Sequence, residues 1–461
     1  MIFFIALYLL IQLGICYWVA RKVNTSSDFF LAGRSLPTPI VAMSLVASWF
    51  GAETCIGSSG AVYDGGLSAS RADPFGYSMC LLLMGLFIAA PLWRGGYITL
   101  SDFYAERYGP WVEKLTAFVL IPGSLIWGAA QIRAFGQVVS STTQLPVETT
   151  IFFCTFAVVV YTLLGGLLGD IITDMLKGAL IFFGLLSLFF YVINSADFSW
   201  SLFSSMPKER LSFLTTEETL WQRMDRWAIP ILGSLVAQEL ISRTLAAKSP
   251  KVAKRGSYWA CFIYLFLGLI PLFLGLIGPQ IFPNVSHNEQ FLTGIAQHYL
   301  PPVIYVIFVG ALISAILSTI DTILLSMAAL TVQNVLDPWV QHKSEKYKLR
   351  VVRVMIVFFA LLAYAIAHFS SGIYSLLEAA SSFGTSGLLI ITFFGIYTRW
   401  GHALAGAMAL VSGMIFYQVG DSWLAWDAPF LMAILAAFIA YVLGALIEQR
   451  WNFRSISPAS P

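Results

Sequence analysis

The stretch SWFGAETCIGSSG, residues 48–60, interrupts an apolar run that extends from about residue 38 to 66. It places three glycines, Glu53 and small hydroxyl side chains where a membrane helix is normally uniformly apolar. A milder interruption, GSLVAQE, follows at residues 233–239. Two broken membrane helices at matching positions are typical of inverted-repeat transporters, whose binding site lies where the breaks expose backbone groups. Close helix packing through glycine is the alternative interpretation.

The composition of the chain indicates its class. Hydrophobic residues make up 58% of the 461 positions and charged residues only 11%, and the mean hydropathy is +0.79. Soluble domains carry about 25% charged residues, so the sequence predicts an all-α polytopic membrane protein. A formal net charge of +2 argues against nucleic acid or another polyanion as a partner. Without a long polar segment for a soluble catalytic domain, the function is expected to lie within the bilayer.

The cysteines and the N-terminus add two expectations. The five cysteines lie in apolar segments without paired spacing, so neither a disulfide framework nor a metal centre is predicted; they are Cys16, Cys55, Cys80, Cys154 and Cys261. The N-terminal segment MIFFIALYLLIQLGICYWVA lacks the basic start and the small-residue cleavage site of a signal peptide. It is therefore expected to be a retained membrane helix.

Apolar stretches of about 20 residues predict thirteen transmembrane helices, called spans 1 to 13 here. They cover approximately residues 2–20, 38–66, 74–93, 114–141, 150–167, 170–194, 228–247, 257–282, 302–334, 351–369, 374–397, 402–418 and 428–448. Basic residues concentrate in the loops after spans 1, 3, 7, 9, 11 and 13, and Arg71 is the exception among the short loops on the other side. They are Arg21, Lys22, Arg94, Arg107, Lys248, Lys251, Lys254, Arg255, Lys343, Lys346, Lys348, Arg399, Arg450 and Arg454. Such loops stay in the cytoplasm, which predicts a plasma (inner) membrane protein with its N-terminus outside and its C-terminus in the cytoplasm.

Span 9 carries a polar stripe inside an apolar helix. Its hydroxyl residues recur every four positions and therefore share one helix face; they are Ser314, Ser318, Thr322 and Ser326, with Thr319 beside them. Asp321 joins the stripe, and an ionisable residue within a span normally marks an ion or substrate pathway. Hydroxyl and carboxylate oxygens suit a hard cation stripped of water. The alternative for each hydroxyl is a bond to its own helix backbone.

Span 6 offers a carboxylate partner for this stripe. The segment GDIITDMLKG, residues 169–178, places Asp170 and Asp174 near the cytoplasmic end of the span, with Lys177 one turn beyond Asp174. A simple ion pair between Asp174 and Lys177 is the alternative interpretation.

Together, five segments resemble the sodium/solute symporter family. They are SDFFLAGRSLP (27–37), ASWFGAETCIGSSGAVYDGGL (47–67), TLSDFYAERYG (99–109), YTLLGGLLGDIITD (161–174) and SAILSTIDT (314–322). The resemblance implies a LeuT-type fold of thirteen helices with a core of two inverted five-helix repeats. The chain would then form one transporter domain, 1–461, with an extra N-terminal helix (1–22), repeats at 38–194 and 228–397, and two C-terminal helices (402–448).

The resemblance also implies where ions bind. The family's principal sodium site would use the backbone carbonyls of Ala47, Phe50 and Ala315 with the side chains of Ser318 and Thr319. A second sodium site, present in some members, would use Asp174, Ser318, Asp321 and Thr322. Many members have serine at the position of Asp321, so one ion and two ions both remain open.

Within the family the chain is most similar to the high-affinity choline transporter branch. That similarity implies an aromatic cage at Trp49, Tyr77 and Trp127, and aromatic faces are well suited to a quaternary ammonium. Two positions depart from the branch, because Ala237 replaces a fourth aromatic and Glu53 replaces a glycine. Together with Gln238, these residues form the expected solute site.

Three charged residues near the expected site have open roles. Glu53 either contacts the solute, couples protons, or serves as a structural hydrogen-bonding group. Arg133 either neutralises Glu53 or binds a solute carboxylate. Arg243 is expected to extend its side chain toward the cytoplasmic surface.

The resulting expectation is sodium-coupled uptake of a small organic solute by alternating access. Choline, a betaine, an amino acid or another cationic or zwitterionic compound are the candidate solutes. Proton-coupled transport and membrane-bound substrate sensing are the alternatives. An enzyme is not expected, because all five histidines lie in loops or at helix ends and form no catalytic group within the spans; they are His287, His298, His342, His368 and His402.

Overall fold

The structure is a computed structural model that describes residues 2–20, 32–215, 217–283, 285, 287–340, 342–370 and 384–456. Helices make up nearly all of this part of the chain, and its only β-type pairing is an isolated parallel bridge between Leu36 and Ala247. The all-α prediction is therefore confirmed. Residues 21–31, with Arg21, Lys22 and part of the first family motif, lie outside the described residues, as do residues 371–383 of predicted span 11.

The α-helices follow one another along the chain, with short 3-10 and π-helical segments between some of them. The first ten are α1 (Ile2–Ala20), α2 (Thr38–Trp49), α3 (Ser58–Gly65), α4 (Tyr77–Leu83), α5 (Ala89–Gly95), α6 (Leu100–Tyr108), α7 (Pro110–Thr143), α8 (Val147–Ile193), α9 (Ser201–Ser205) and α10 (Leu220–Leu232). The others are α11 (Gln238–Leu245), α12 (Pro250–Ile281), α13 (Phe291–Tyr299), α14 (Pro302–Leu330), α15 (Asp337–Val340), α16 (Glu345–Phe369), α17 (Thr385–Tyr397), α18 (Ala403–Ser422) and α19 (Pro429–Ile456).

Eight helical stretches among the described residues are long and apolar enough to cross a membrane, and three further apolar helices are shorter. Their outer faces carry large apolar side chains that suit contact with lipid, such as Phe118, Phe183, Phe262 and Phe358. The total of thirteen spans stays a prediction.

Helix α8 contains two of the predicted spans. Within it the hydroxyl of Tyr161 lies 2.5 Å from that of Thr173, and the ammonium of Lys177 lies over the Tyr161 ring. In a straight helix, twelve residues span about 18 Å, so these contacts require the chain to turn back between the two arms. The arms are Val147–Leu163 and Thr173–Ile193, which agrees with separate spans 5 and 6.

Helix α14 lies at the centre of the fold. All of its residues from Ala311 to Leu330 are buried, and it packs against α2, α7, α8 and α16. Because the helix is surrounded by protein rather than lipid, its polar stripe can form hydrogen bonds with neighbouring helices. This arrangement makes a carboxylate in span 9 tolerable.

Candidate functional site

Helix α2 breaks at the segment that the sequence singled out. Phe50 adopts φ −74° and ψ 66°, outside helical values. The N–H of Gly51 donates to the carbonyl of Trp49 at 2.8 Å, and the N–H of Ala52 donates to Oε1 of Gln131 at 3.0 Å. In an uninterrupted helix these two N–H groups would bond to the carbonyls of Ala47 and Ser48. The break therefore leaves carbonyl oxygens of α2 available to another partner.

Helix α14 lies directly against this break. A Cβ added at Gly51 would lie 2.6 Å from Oγ1 of Thr319 and 2.8 Å from Oε1 of Gln131. Glycine is therefore required for the close approach of the two helices. The Thr319 hydroxyl also donates to the carbonyl of Ala315 at 3.1 Å. The Thr319 hydroxyl, the Ala315 carbonyl and the carbonyls at the break of α2 therefore lie close together.

The five residues expected at the principal sodium site are all buried at this contact between α2 and α14. Ser318 of α14 and Ser44 of α2 donate to the two oxygens of one carboxylate, that of Asp174, at 2.5 and 2.8 Å. The Ser318 oxygen keeps lone pairs for a cation after this donation. Uncharged oxygens of carbonyls and hydroxyls are what a small hard cation needs, so the residues present fit sodium.

The carboxylate of Asp174 has two cationic neighbours as well. Nζ of Lys177 lies 3.6 Å from Oδ1, and Nη2 of Arg243 lies 3.7 Å from Oδ2, with all three side chains inaccessible to solvent. Asp321, also buried, lies between Ser318 and Thr322 on α14. Three of the residues expected at a second sodium site, Asp174, Ser318 and Thr322, are thus linked in a cluster that contains two basic side chains.

The expectation that Arg243 extends toward the surface is wrong. Its Nε donates to the Ser48 hydroxyl at 2.9 Å, and its Nη2 donates to the Thr322 hydroxyl. The Arg243 side chain is inaccessible to solvent and extends inward to Asp174. A buried guanidinium requires such partners.

The remaining hydroxyls of the stripe have different surroundings. Ser314 bonds to Tyr8 of α1 and to the carbonyl of Gly310, which is a structural arrangement. Thr322 donates to the carbonyl of Ser318 at 2.9 Å. Ser326 and Thr322 line a small inner cavity of about 10 Å³.

A second cavity, of about 80 Å³, lies between the breaks of the two helices. The ring centroid of Trp49 lies 5.1 Å from that of Tyr77 and 6.2 Å from that of Trp127, both edge-on. The Tyr77 hydroxyl donates to Oε1 of Glu53 at 2.5 Å, and Trp127 lines the same cavity as Glu53. The three expected aromatic residues thus surround a carboxylate.

The second break supplies the opposite wall. Helix α10 ends at Leu232, and a 3-10 segment and the extended residue Ala237 precede α11. Ala237 and Gln238 line the cavity as expected. Gln238 has a further contact, because its Oε1 accepts a hydrogen bond from the N–H of Leu100 at 2.8 Å.

One lining residue was missed by the sequence reasoning. Glu239 lines the same cavity, and its Oε1 accepts a hydrogen bond from the Ser124 hydroxyl at 2.6 Å. The sequence did contain a signal for Glu239, because this residue lies at the second helix break, at the end of the GSLVAQE segment. Glu53 has the corresponding position after the first break.

Arg133 does not contribute to the cavity. It donates to the carbonyl of Ala367 at 3.0 Å and is not among the residues that line the cavity. Neither expected role of Arg133 is supported.

Access to the cavity differs on its two sides. Glu53 lines this cavity and also a wide vestibule of about 330 Å³. The other charged residues that line the vestibule are Asp73, Asp225, Arg226, Asp421 and Asp427. On the opposite side, Thr99 donates to Oδ1 of Asn334 at 2.8 Å. Asn334 in turn donates to Asp102 and Glu113 at 2.7 and 2.9 Å. Hydrogen bonds thus join the helices at the end opposite the vestibule, called the closed end here.

An ion pair lies near the rim of the vestibule. Nη2 of Arg71 lies 2.7 Å from Oε2 of Glu218, and Arg226 contacts the same carboxylate. The hydrogen bond from Arg71 lowers the pKa of Glu218 from its ordinary value, and the charges of both arginines add to this effect.

Comparison with known proteins gives the following similarities. A family model described as the sodium:solute symporter family matches residues 29–416. The high affinity choline transporter 1 of Homo sapiens is 26% identical over 395 residues, which cover 81% of this chain and 68% of that protein. The sodium/glucose cotransporter of Vibrio parahaemolyticus is 24% identical over 460 residues, which cover 90% of this chain and 84% of that protein.

The solved structures show the same fold. An outward-open, substrate-bound sodium-coupled sialic acid symporter aligns with a TM-score of 0.84 at 15% identity, covering 96% of this chain and 97% of that one. A nucleobase-cation-symport-1 family transporter in a closed conformation aligns with a TM-score of 0.66 at 14% identity, covering 95% of this chain and 97% of that one. The LeuT-type fold is confirmed. This chain belongs to the sodium:solute symporter family and is a multi-pass, sodium-using symporter of a small solute rather than an enzyme.

Proposed function

We propose that this protein couples the inward movement of one sodium ion to the uptake of a small organic cation by alternating access. The observation that carries the proposal is the cavity between the two broken helices. Aromatic side chains and two carboxylates line it, and none of the described residues that line it is basic. Such a lining attracts positive charge and repels anions.

The size of the cavity favours a small solute. Its volume of about 80 Å³ is well below the roughly 300–1,000 Å³ of sites that enclose drug-sized ligands. The similarity to choline transporters supports a cationic solute independently of the geometry. Glu53 lies within the aromatic cage and would face the cationic group directly.

For the sodium ion, we propose the site formed by the carbonyls of Ala47, Phe50 and Ala315 and the hydroxyls of Ser318 and Thr319. A bound ion would supply a positive charge that links the break in α2 to α14. The residues themselves set the geometry: Gly51 permits the close contact, and Gln131 holds the N–H of Ala52 away from the helical pattern. Trp49 and Phe50 belong to the same turn, so ordering of the break also orders one wall of the solute cavity.

We propose that the cluster around Asp174 holds no second sodium ion. An ion bound to this carboxylate at about 2.5 Å would lie within roughly 6 Å of the basic group that contacts the same oxygen. At an effective dielectric constant of about 20, one such charge repels the ion by about 3 kcal/mol, so the two basic groups together offset most of the roughly 7 kcal/mol by which the carboxylate attracts it. Lys177 and Arg243 already supply the positive charge that Asp174 requires, which supports one sodium ion for each solute.

Alternating access has a structural basis in the two ends of the site. The vestibule lies on the side that the distribution of basic residues assigns to the exterior, so in this proposal it is the outer entrance, with the N-terminus outside and the C-terminus in the cytoplasm. Gln238 touches the solute cavity and also accepts a hydrogen bond from Leu100 at the closed end. A conformational change at the solute site can therefore be transmitted to the closed end through the side chain of Gln238.

The test is uptake by purified protein in proteoliposomes. Uptake of labelled choline and of small labelled amines is measured with an inward sodium gradient, with potassium in place of sodium, and with a pH gradient alone. We expect accumulation with the sodium gradient only. Accumulation driven by the pH gradient without sodium would establish proton coupling instead, and sodium-driven uptake restricted to sugars or carboxylates would overturn the proposed solute class.

A further inference from the structure

The solute cavity contains two carboxylates, and each comes from a different broken helix. Glu53 follows the break of α2, whereas Glu239 lies in the first turn of α11, after the break at Ala237. Glu239 is 2% exposed and still lines the cavity. A buried carboxylate needs a hydrogen-bonding or charged partner, and a single cationic group in the aromatic cage would serve Glu53 alone.

Helix α7 lies beside both carboxylates. Trp127 belongs to the aromatic cage around Glu53, and Glu239 is bonded to Ser124, three residues earlier on α7. Residues three apart lie on the same helix face, about 4.5 Å apart along the axis. The two acidic groups are therefore placed at different levels of one cavity rather than at one point.

The two carboxylates have similar hydrogen bonding, with one side-chain donor each. Glu53 receives a hydrogen bond from Tyr77, which satisfies part of its acceptor capacity. The side-chain donor to Glu239 is Ser124, and a carboxylate accepts up to about four hydrogen bonds. Both carboxylates line the cavity and keep acceptor capacity for a solute, and an N–H group with positive charge is the strongest partner available.

We propose that the solute carries two separated cationic nitrogens with N–H groups, as in a short aliphatic diamine. One nitrogen lies among the aromatic rings near Glu53, and the other donates to Glu239. A quaternary ammonium has no N–H to offer either carboxylate. The inference rests on the proposed function, because it specifies the solute of the same cavity.

The test compares ligands in equilibrium binding to the purified full-length protein, in sodium and in potassium buffer. The ligands are 1,4-diaminobutane, its shorter and longer homologues with three and six carbons, n-butylamine and choline. We expect 1,4-diaminobutane to bind at least tenfold more tightly than n-butylamine and choline. Equal or tighter binding of choline would overturn the proposal.

The variant Glu239→Gln keeps the side-chain size and an acceptor for Ser124 but removes the charge. The variant should bind 1,4-diaminobutane at least tenfold more weakly than the unmodified protein does, and its affinity for n-butylamine should change by no more than about threefold. Binding of n-butylamine then also shows that the variant is folded. Asp421→Asn makes the same chemical change in the vestibule and should preserve the ranking of ligands. An unchanged preference for the diamine in Glu239→Gln would contradict the proposal.

The sodium and potassium buffers separate this inference from the proposed function. If the diamine preference depends on Glu239 but binding is the same in both buffers, sodium coupling fails and the solute assignment stands. If sodium strengthens binding of choline and the diamine shows no preference, the solute assignment fails and sodium coupling stands.

Discussion

The guanidinium of Arg243 lies 3.7 Å from the carboxylate of Asp174, and neither side chain is accessible to solvent. Arg243 belongs to the second broken helix, whereas Asp174 also bonds to Ser44 of the first and to Ser318 of α14. One buried ion pair thus joins both broken helices to the central helix. This places charged residues directly beside the proposed sodium site.

Removal of Arg243 should destabilise the protein strongly. The variant Arg243→Met leaves Asp174 with one fewer cationic partner, and loss of one member of a buried pair costs about 3–5 kcal/mol. The measurement is the apparent melting temperature in detergent. Arg133→Met is the matched control, since Arg133 is partly exposed and bonds to a single carbonyl. Equal melting temperatures for the two variants would contradict a stabilising role for the buried pair.

Each chain should bind one sodium ion. Equilibrium binding of ²²Na⁺ to purified protein measures this number without any solute. In Lys177→Gln, one positive charge near Asp174 is lost, so weak binding of a second ion should appear. Two ions bound by the unmodified protein, or no increase in Lys177→Gln, would show that the basic side chains do not exclude the second ion.

Gly51→Ala should impair the sodium site. The added methyl group would lie 2.6 Å from Oγ1 of Thr319, so the break and α14 must separate. We expect the sodium concentration for half-maximal uptake to rise at least tenfold. Gly14→Ala is the control, because a Cβ there meets no atom within 4 Å. Normal sodium dependence in Gly51→Ala would show that the contact is not part of the site.

Low pH should remove the contribution of Glu218 to stability. Its pKa is lower in the folded protein because of Arg71, so the contribution is complete above the ordinary carboxyl value of about 4.5. It is lost as the pH falls through the lower, folded value. Melting temperatures measured between pH 7.5 and 3.5 should therefore differ between the unmodified protein and Glu218→Gln at neutral pH and converge in acid. A constant difference across this range would contradict the assignment.

The sequence predicted the fold class, both helix breaks and the location of the polar stripe, because these depend on local patterns of apolar residues, glycine and hydroxyl side chains. It also predicted that Trp49, Tyr77 and Trp127 lie together, although only through the family resemblance. It did not predict the direction of Arg243 or the contact of Arg133 with Ala367. Both depend on which helices surround an arginine, and that is a property of the tertiary packing.

Glu239 shows a second limit of sequence reasoning. The residue was within a segment already identified as broken, but a carboxylate beside a break can face the cavity, the lipid or another helix. The structure shows that it lines the cavity and bonds to Ser124 on α7. The pairing of Lys177 with Asp174 was one of two interpretations from the spacing, and the structure contains that pair together with Arg243.

The sodium dependence of uptake in Ser318→Ala and Thr319→Ala tests the central claim most directly. Both hydroxyls are proposed ligands of the sodium ion, so each variant should raise the sodium concentration for half-maximal uptake by tenfold or more. Ser314→Ala, which removes a hydroxyl of the same helix bonded to Tyr8, should leave this concentration within about threefold. Unchanged sodium dependence in both Ser318→Ala and Thr319→Ala would contradict the assignment of the ion to the break in α2.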